Sequence, residues 1–145
     1  EKGIQVVEVR SEESERYVNM ISVALMSGNA QREVRGTAFP GSEPRLLGID
    51  GFDLDMPLDG DFLLSIHADV PGIIGRVGSL LGSKNVNIAR MGLGREQKGG
   101  KALLLVSVDN PVDDAVVREM RSTKEFQEIR TVLLSKLGER DYLQI

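Results

Sequence analysis

The sequence predicts an α+β fold built on antiparallel sheet, and three observations carry that reading. Residues 1–58 contain short alternating apolar stretches cut by turn residues, with no convincing helix. From residue 59 onwards, strands with apolar groups at every second position alternate with two segments of helical period. Cysteine is absent, so the fold must rest on packing alone, without disulfides.

In the first half, Ile4-Gln5-Val6-Val7-Glu8-Val9 reads as a short strand and Ser11-Glu12-Glu13-Ser14-Glu15 as a solvated acidic connection. Tyr17 to Met26 is a longer apolar run without a helical period. Gly28-Asn29 supplies a turn, Val34 to Phe39 a strand, and Pro40-Gly41-Ser42 a second turn. The clearest hairpin runs from Leu46-Leu47-Gly48-Ile49 through Asp50-Gly51 to Phe52-Asp53-Leu54-Asp55-Met56, because Asp-Gly tolerates the two positive φ values of a type I′ turn. Pro57-Leu58-Asp59-Gly60 punctuates the junction.

The second half opens with a strand, Phe62 to Ala68. Pro71 can start a helix, since its missing N–H has no helical partner in the first turn. Ile73, Ile74, Val77, Leu80 and Leu81 then form one apolar stripe, and Gly82-Ser83-Lys84 ends it. Val86 to Met91 and Ala102 to Val108 are strands joined by a polar, glycine-rich loop, Gly94 to Gly100. Pro111-Val112-Asp113-Asp114 begins a second helix with Val112, Ala115, Val116 and Met120 on one face, and Glu128 to Leu134 is the last strand. The order β-α-β-β-α-β is the ferredoxin-like unit, with two helices covering one face of the sheet. The expected organisation is an antiparallel β segment over 1–58, a ferredoxin-like domain over 59–138 and a tail over 139–145.

Composition narrows the chemistry. The 145 residues carry 18 Lys+Arg against 22 Asp+Glu, a formal net charge of −4, which argues against an electrostatic grip on nucleic acid or anionic lipid. Without Cys there is no thiolate metal site and no Cys nucleophile, and a reducing, cytoplasmic setting fits. One His excludes two-histidine metal motifs. No apolar run suits a membrane span, and no leader opens the chain. No G-x-G-x-x-G follows a strand, so the dinucleotide fingerprint is missing. The loop ending at Lys101 fails the P-loop pattern, because Ala102 follows the Lys and a strand follows the loop. An RNA-binding sheet of this order should show stacking aromatics, whereas Leu103, Leu105 and Val106 stand there.

Alternation along the strands points to a candidate site. With Phe62, Leu64, Ile66 and Ala68 turned toward the helices, Leu63, Ser65, His67 and Asp69 share the open face. Val86 and Ile88 likewise leave Asn85, Asn87 and Ala89 on that open face. Asp69-Val70-Pro71-Gly72 is a strand-to-helix turn whose free N–H groups favour an anion. Helix-start amides for a carboxylate, Asp69 for an ammonium, and His67 with Asn87 as donors or acceptors would together suit a small zwitterion. The competing reading is that His67 and Asn87 are ordinary open-face polar residues and that Asp69 caps the helix. Gly72, Gly75 and Gly78 recur every third position, for close approach of a chain or ligand or for packing of helix on sheet.

The text of the chain is specific here. His67-Ala68-Asp69-Val70-Pro71-Gly72-Ile73-Ile74-Gly75-Arg76-Val77-Gly78, then Asn85-Val86-Asn87-Ile88-Ala89 and Gly99-Gly100-Lys101-Ala102, resemble an ACT domain, the amino-acid-sensing module. Upstream, Ser11-Glu12-Glu13-Ser14, Gly36-Thr37-Ala38-Phe39, Glu43-Pro44-Arg45 and Ile49-Asp50-Gly51 resemble the stretch before that module in long-form D-3-phosphoglycerate dehydrogenases. The resemblance implies a C-terminal, non-catalytic regulatory fragment of a dehydrogenase that uses NAD in serine synthesis, the NAD site itself lying elsewhere. It implies L-serine as feedback effector, bound where two ACT domains pair side by side, with His67, Asp69, Val70, Pro71, Gly72 and Asn87 at the effector site. It further implies that residues 1–58 are the second half of the intervening, allosteric-substrate-binding domain, with Arg45 a candidate anion contact. The implied partners are a second copy of the chain and the catalytic domain of the parent enzyme; no metal or cofactor is expected in the fragment. Two alternatives stay open: an oligomerising ACT module without effector binding, and the regulatory part of an iron–sulfur L-serine dehydratase β-subunit.

Overall fold

A computed structural model describes residues 19–28, 30–38 and 43–136. The Ile4–Val9 strand, the acidic connection, the Pro40-Gly41-Ser42 turn and the 139–145 tail lie outside the described residues. Strands β1 (Met20–Ser27), β2 (Ala30–Thr37), β3 (Arg45–Ile49) and β4 (Phe52–Pro57) form one antiparallel sheet in the order β1-β2-β3-β4. The β3–β4 hairpin turns at Asp50 and Gly51 with φ of 49° and 84°, the double positive value that Asp-Gly permits.

The second sheet holds β5 (Asp61–Ala68), β6 (Ile88–Arg95), β7 (Lys101–Val108) and β8 (Phe126–Leu133) in the order β6-β7-β5-β8, antiparallel in the paired registers. Helix α1 (Ile73–Ser83) joins β5 to β6, and α2 (Asp114–Arg121) joins β7 to β8. This is the ferredoxin-like β-α-β-β-α-β order, and the fold is α+β as the sequence predicts. Asp113 opens α2, its side chain accepting the Ala115 N–H at 3.0 Å, while Arg118 and Arg121 face the negative end of the helix dipole. Ala115 is exposed and Val117 takes its place on the buried face beside Val116 and Met120. Asp61, itself buried, accepts the Ser135 N–H and hydroxyl at 3.0 and 2.8 Å, tying the short 3₁₀ segment Leu134–Lys136 to the start of β5.

The two sheets stack, and the layers run helices, second sheet, first sheet. Leu63, Leu104, Val106 and Val108 pack with Ile73, Val77, Leu81, Val116 and Met120 under the helices. Phe62, Leu64, Leu103 and Leu105 pack with Leu46, Ile49, Phe52, Leu54 and Met56 between the sheets. Each such fully buried side chain stabilises the fold by about 2 kcal/mol. The facing expected for β5 is therefore inverted: Leu63, Ser65 and His67 turn toward the helices, and Phe62 and Leu64 toward the first sheet. The reason is that the supposed open face is covered. A strand buried on both sides has no solvent-facing parity, and its larger alternate groups filled the gap between sheets.

Two contacts lock the stack. At one edge, Gly92 and Gly94 of β6 sit on β4 so closely that a Cβ would strike Met56 Sδ or the Asp53 carbonyl. At the other, Arg32 of β2 holds Asp50 at 2.7 Å and Glu128 of β8 at 3.0 Å, while Arg130 holds Glu128 at 2.6 Å. Strand β1 is exposed along its whole length, with Ile21, Val23 and Leu25 each more than 60% exposed and no charge in the strand.

Candidate functional site

The turn after β5 is tied to the loop between β6 and β7. The Asp69 N–H donates to the Gly100 carbonyl at 2.9 Å, and the Gly99 N–H donates to Asp69 Oδ2 at 3.1 Å. Gly99 has a φ of 75°, the left-handed conformation that a glycine adopts without strain. Asp69 Oδ1 holds the Arg95 guanidinium at 3.1 Å. Asp69 therefore latches the hairpin loop; the competing reading expected it to cap α1, but no side chain caps that helix start. The helix begins at Ile73, two residues after Pro71, with Gly72 at the capping position and a φ of 91°. Val70, Pro71 and Gly72 are exposed, and they present the first turn of α1 to solvent.

His67 is elsewhere than the alternation argument put it. Its ring is 2% exposed beneath the helices, edge-on to Phe126 with centroids 5.9 Å apart. Nδ1 lies 2.9 Å from the Ala68 carbonyl oxygen, an acceptor to which an Nδ1–H donates. Nε2 and the Ser65 hydroxyl, two residues back on the same face, are buried without a hydrogen-bond partner.

Asn87 precedes β6, and its Nδ2 donates to Asp109 Oδ2 at 2.7 Å. This is the far end of the sheet from Asp69. Ile88 lies opposite Val108 and Arg95 opposite Ala102, so the length of β6, about 24 Å at 3.4 Å per residue, separates them. The convergence of imidazole, carboxylate and amide expected from the sequence does not occur within one chain. A strand-helix-strand crossover returns the chain to the end of the sheet where it began, so the end of β5 and the start of β6 cannot meet.

Arg45 pairs with Asp55 across the β3–β4 hairpin at 2.6 Å, which gives the proposed anion contact a carboxylate partner already. A Cβ at Gly75 or Gly78 would meet nothing within 4 Å, so close packing of α1 on the sheet does not account for these glycines. The outer edge of β8 carries a shallow depression of about 450 Å³ lined by Arg121, Phe126, Gln127, Glu128, Ile129 and Arg130. Arg121 donates to the Ile129 carbonyl there at 2.9 Å, blunting that edge against a further strand. Partial burial raises the Glu128 pKa, but hydrogen bonds and charge from Arg32, with Arg130, outweigh it and hold the carboxyl below its ordinary value. The Glu128 hydrogen bond correspondingly raises Arg32, against the opposing effect of burial.

Residues 62–125 match the ACT domain, and residues 1–50 match the D-3-phosphoglycerate dehydrogenase intervening domain. Among curated relatives, D-3-phosphoglycerate dehydrogenase of Archaeoglobus fulgidus is 39% identical over 83% of this chain. Those of Bacillus subtilis and Synechocystis are each 33% identical, over 91% and 92% of the chain. The chain belongs to the D-3-phosphoglycerate dehydrogenase family, as intervening-domain sequence followed by an ACT domain. It spans about a quarter of the length of those relatives, 23–25%. In the ACT domain, the residue that sequence reasoning missed is Arg95, the cation on Asp69; a basic residue at the end of a strand beside a glycine-rich loop gives no signal of its own. Among the described residues, no helix is long and apolar enough to cross a membrane and no cluster of three His, Asp or Glu side chains could hold a metal ion.

Proposed function

We propose that this chain is a non-catalytic sensor of L-serine that works as a pair, its ACT domains joined side by side along β6. One observation carries the reading: Asp69 and Asn87 stand at opposite ends of β6, an edge strand among the described residues. Full-length antiparallel pairing of β6 with β6 of a second copy would set Asn87 of that copy beside the Arg95 end of the strand, next to Asp69. Each pair would then hold two equivalent sites, built from the Asp69 turn of one copy and Asn87 of the other. The exposed start of α1 supplies amides for the carboxylate, and Asp69 suits the ammonium. His67 supports this turn from below instead of facing the effector.

The family match favours serine, since the relatives' dehydrogenase begins serine synthesis by oxidising 3-phosphoglycerate with NAD. This sequence has no dinucleotide fingerprint, so catalysis and NAD belong to the rest of such an enzyme. Serine would act there by linkage: it shifts the distant active site only through its differential affinity for two arrangements of the paired domains. Calorimetric titration of the full chain with L-serine, run beside sedimentation, tests the reading. We expect binding heat, a raised melting temperature and one site per chain in a dimer. No heat and no shift at millimolar serine would leave an oligomerising module only.

A further inference from the structure

The carboxylate suited to the effector's ammonium is already engaged. Both Asp69 oxygens are occupied, Oδ1 by Arg95 at 3.1 Å and Oδ2 by the Gly99 N–H at 3.1 Å, and the side chain is only 10% exposed. Arg95 differs: in a single copy its side chain is 56% exposed, at the end of the edge strand β6. The Gly99 contact is backbone and stays with the loop. The Arg95 contact is made by a flexible, half-exposed cation, which salt screens more than it would a fully buried one.

We propose that Arg95 is a built-in competitor for the effector's amino group, an inference that rests on the effector site described above. Without effector the guanidinium occupies Asp69 Oδ1; an arriving ammonium takes that oxygen and displaces Arg95 from it. The exchange keeps the buried carboxylate paired in both states, so Asp69 never stands uncompensated. It also sets a threshold, because the effector must displace an internal cation before it binds. The pair thus lowers sensitivity to small amounts of amino acid without changing any group that touches the effector.

The test is calorimetric titration of L-serine into the full chain and into Arg95→Met, which keeps an apolar stem and removes the charge. The variant should bind serine about three- to five-fold more tightly. Its affinity for 3-hydroxypropanoate, which lacks the amino group, should match that of the unaltered chain. A folded Arg95→Met chain that binds serine no more tightly than the unaltered one overturns the competitor role, as does equal tightening for 3-hydroxypropanoate. Absence of serine binding by both proteins overturns the effector site itself, so the two failures are distinct. If Arg95→Met loses its cooperative melt, Arg95→Gln repeats the comparison with polarity retained.

Discussion

Gly94 of β6 rests on the backbone of Asp53 in β4: a Cβ at position 94 would lie 2.6 Å from the Asp53 carbonyl oxygen and 3.1 Å from Phe52 Cβ. The next residue, Arg95, holds Asp69. One strand therefore bears on the first sheet and on the turn after β5 at adjacent positions.

Gly94→Ala should cost about 2 kcal/mol of unfolding free energy, because the obstacle is backbone that cannot move without shifting β4. Gly92→Ala meets Met56 Sδ and Cγ first, the far end of a flexible side chain, and should cost less than half as much. Urea denaturation of both variants checks the ranking. Equal, small costs would mean that the sheets part easily at this edge.

Much of this architecture is legible in the sequence because local chemistry dictates it. Asp50-Gly51 specifies its turn through two positive φ values, Pro71 stands two residues before α1, and Pro111-Val112-Asp113-Asp114 leads into α2 at Asp114. The facing of β5 was not legible by alternation, since Phe62 and Leu64 on one side and Leu63 on the other are all buried. The signal lay in β7: Ala102-Leu103-Leu104-Leu105-Val106 is a continuous apolar run, the mark of a strand covered on both faces. The separation of Asp69 from Asn87 also follows from connectivity, because a crossover helix sends the chain back to its starting end. Arg95 on Asp69 was beyond reach, since that pairing is made by a loop conformation that residue types do not encode.

Acid should loosen the stack through Glu128. Its folded pKa lies below the ordinary glutamate value of about 4.3, so its contribution to stability is complete above that pH. The contribution is lost as pH falls through the depressed folded value. Glu128→Gln removes the titration and weakens the hold of Arg32 and Arg130 on β8, costing about 1 kcal/mol at pH 7. Melting temperatures of the two proteins should therefore differ at neutral pH and converge as pH drops below about 4. A gap that persists unchanged into acid would assign the cost to packing instead of charge.

Replacing His67 separates a structural imidazole from an effector contact. The ring is buried, and Nε2 has no hydrogen-bond partner, a loss that an apolar side chain would not suffer. His67→Leu should leave stability within about 1 kcal/mol of the original, or raise it, because it fills the space against Phe126 without an orphan nitrogen. His67→Ala should instead cost about 2–3 kcal/mol, by opening a cavity beneath the helices. Serine affinity in His67→Leu should stay within about two-fold, since the imidazole is buried away from the exposed turn. Thermal melts and serine titrations of both variants decide the matter. A loss of affinity of ten-fold or more in a fully stable His67→Leu chain would require α1 to lift off the sheet when serine binds, exposing the ring to the amino acid.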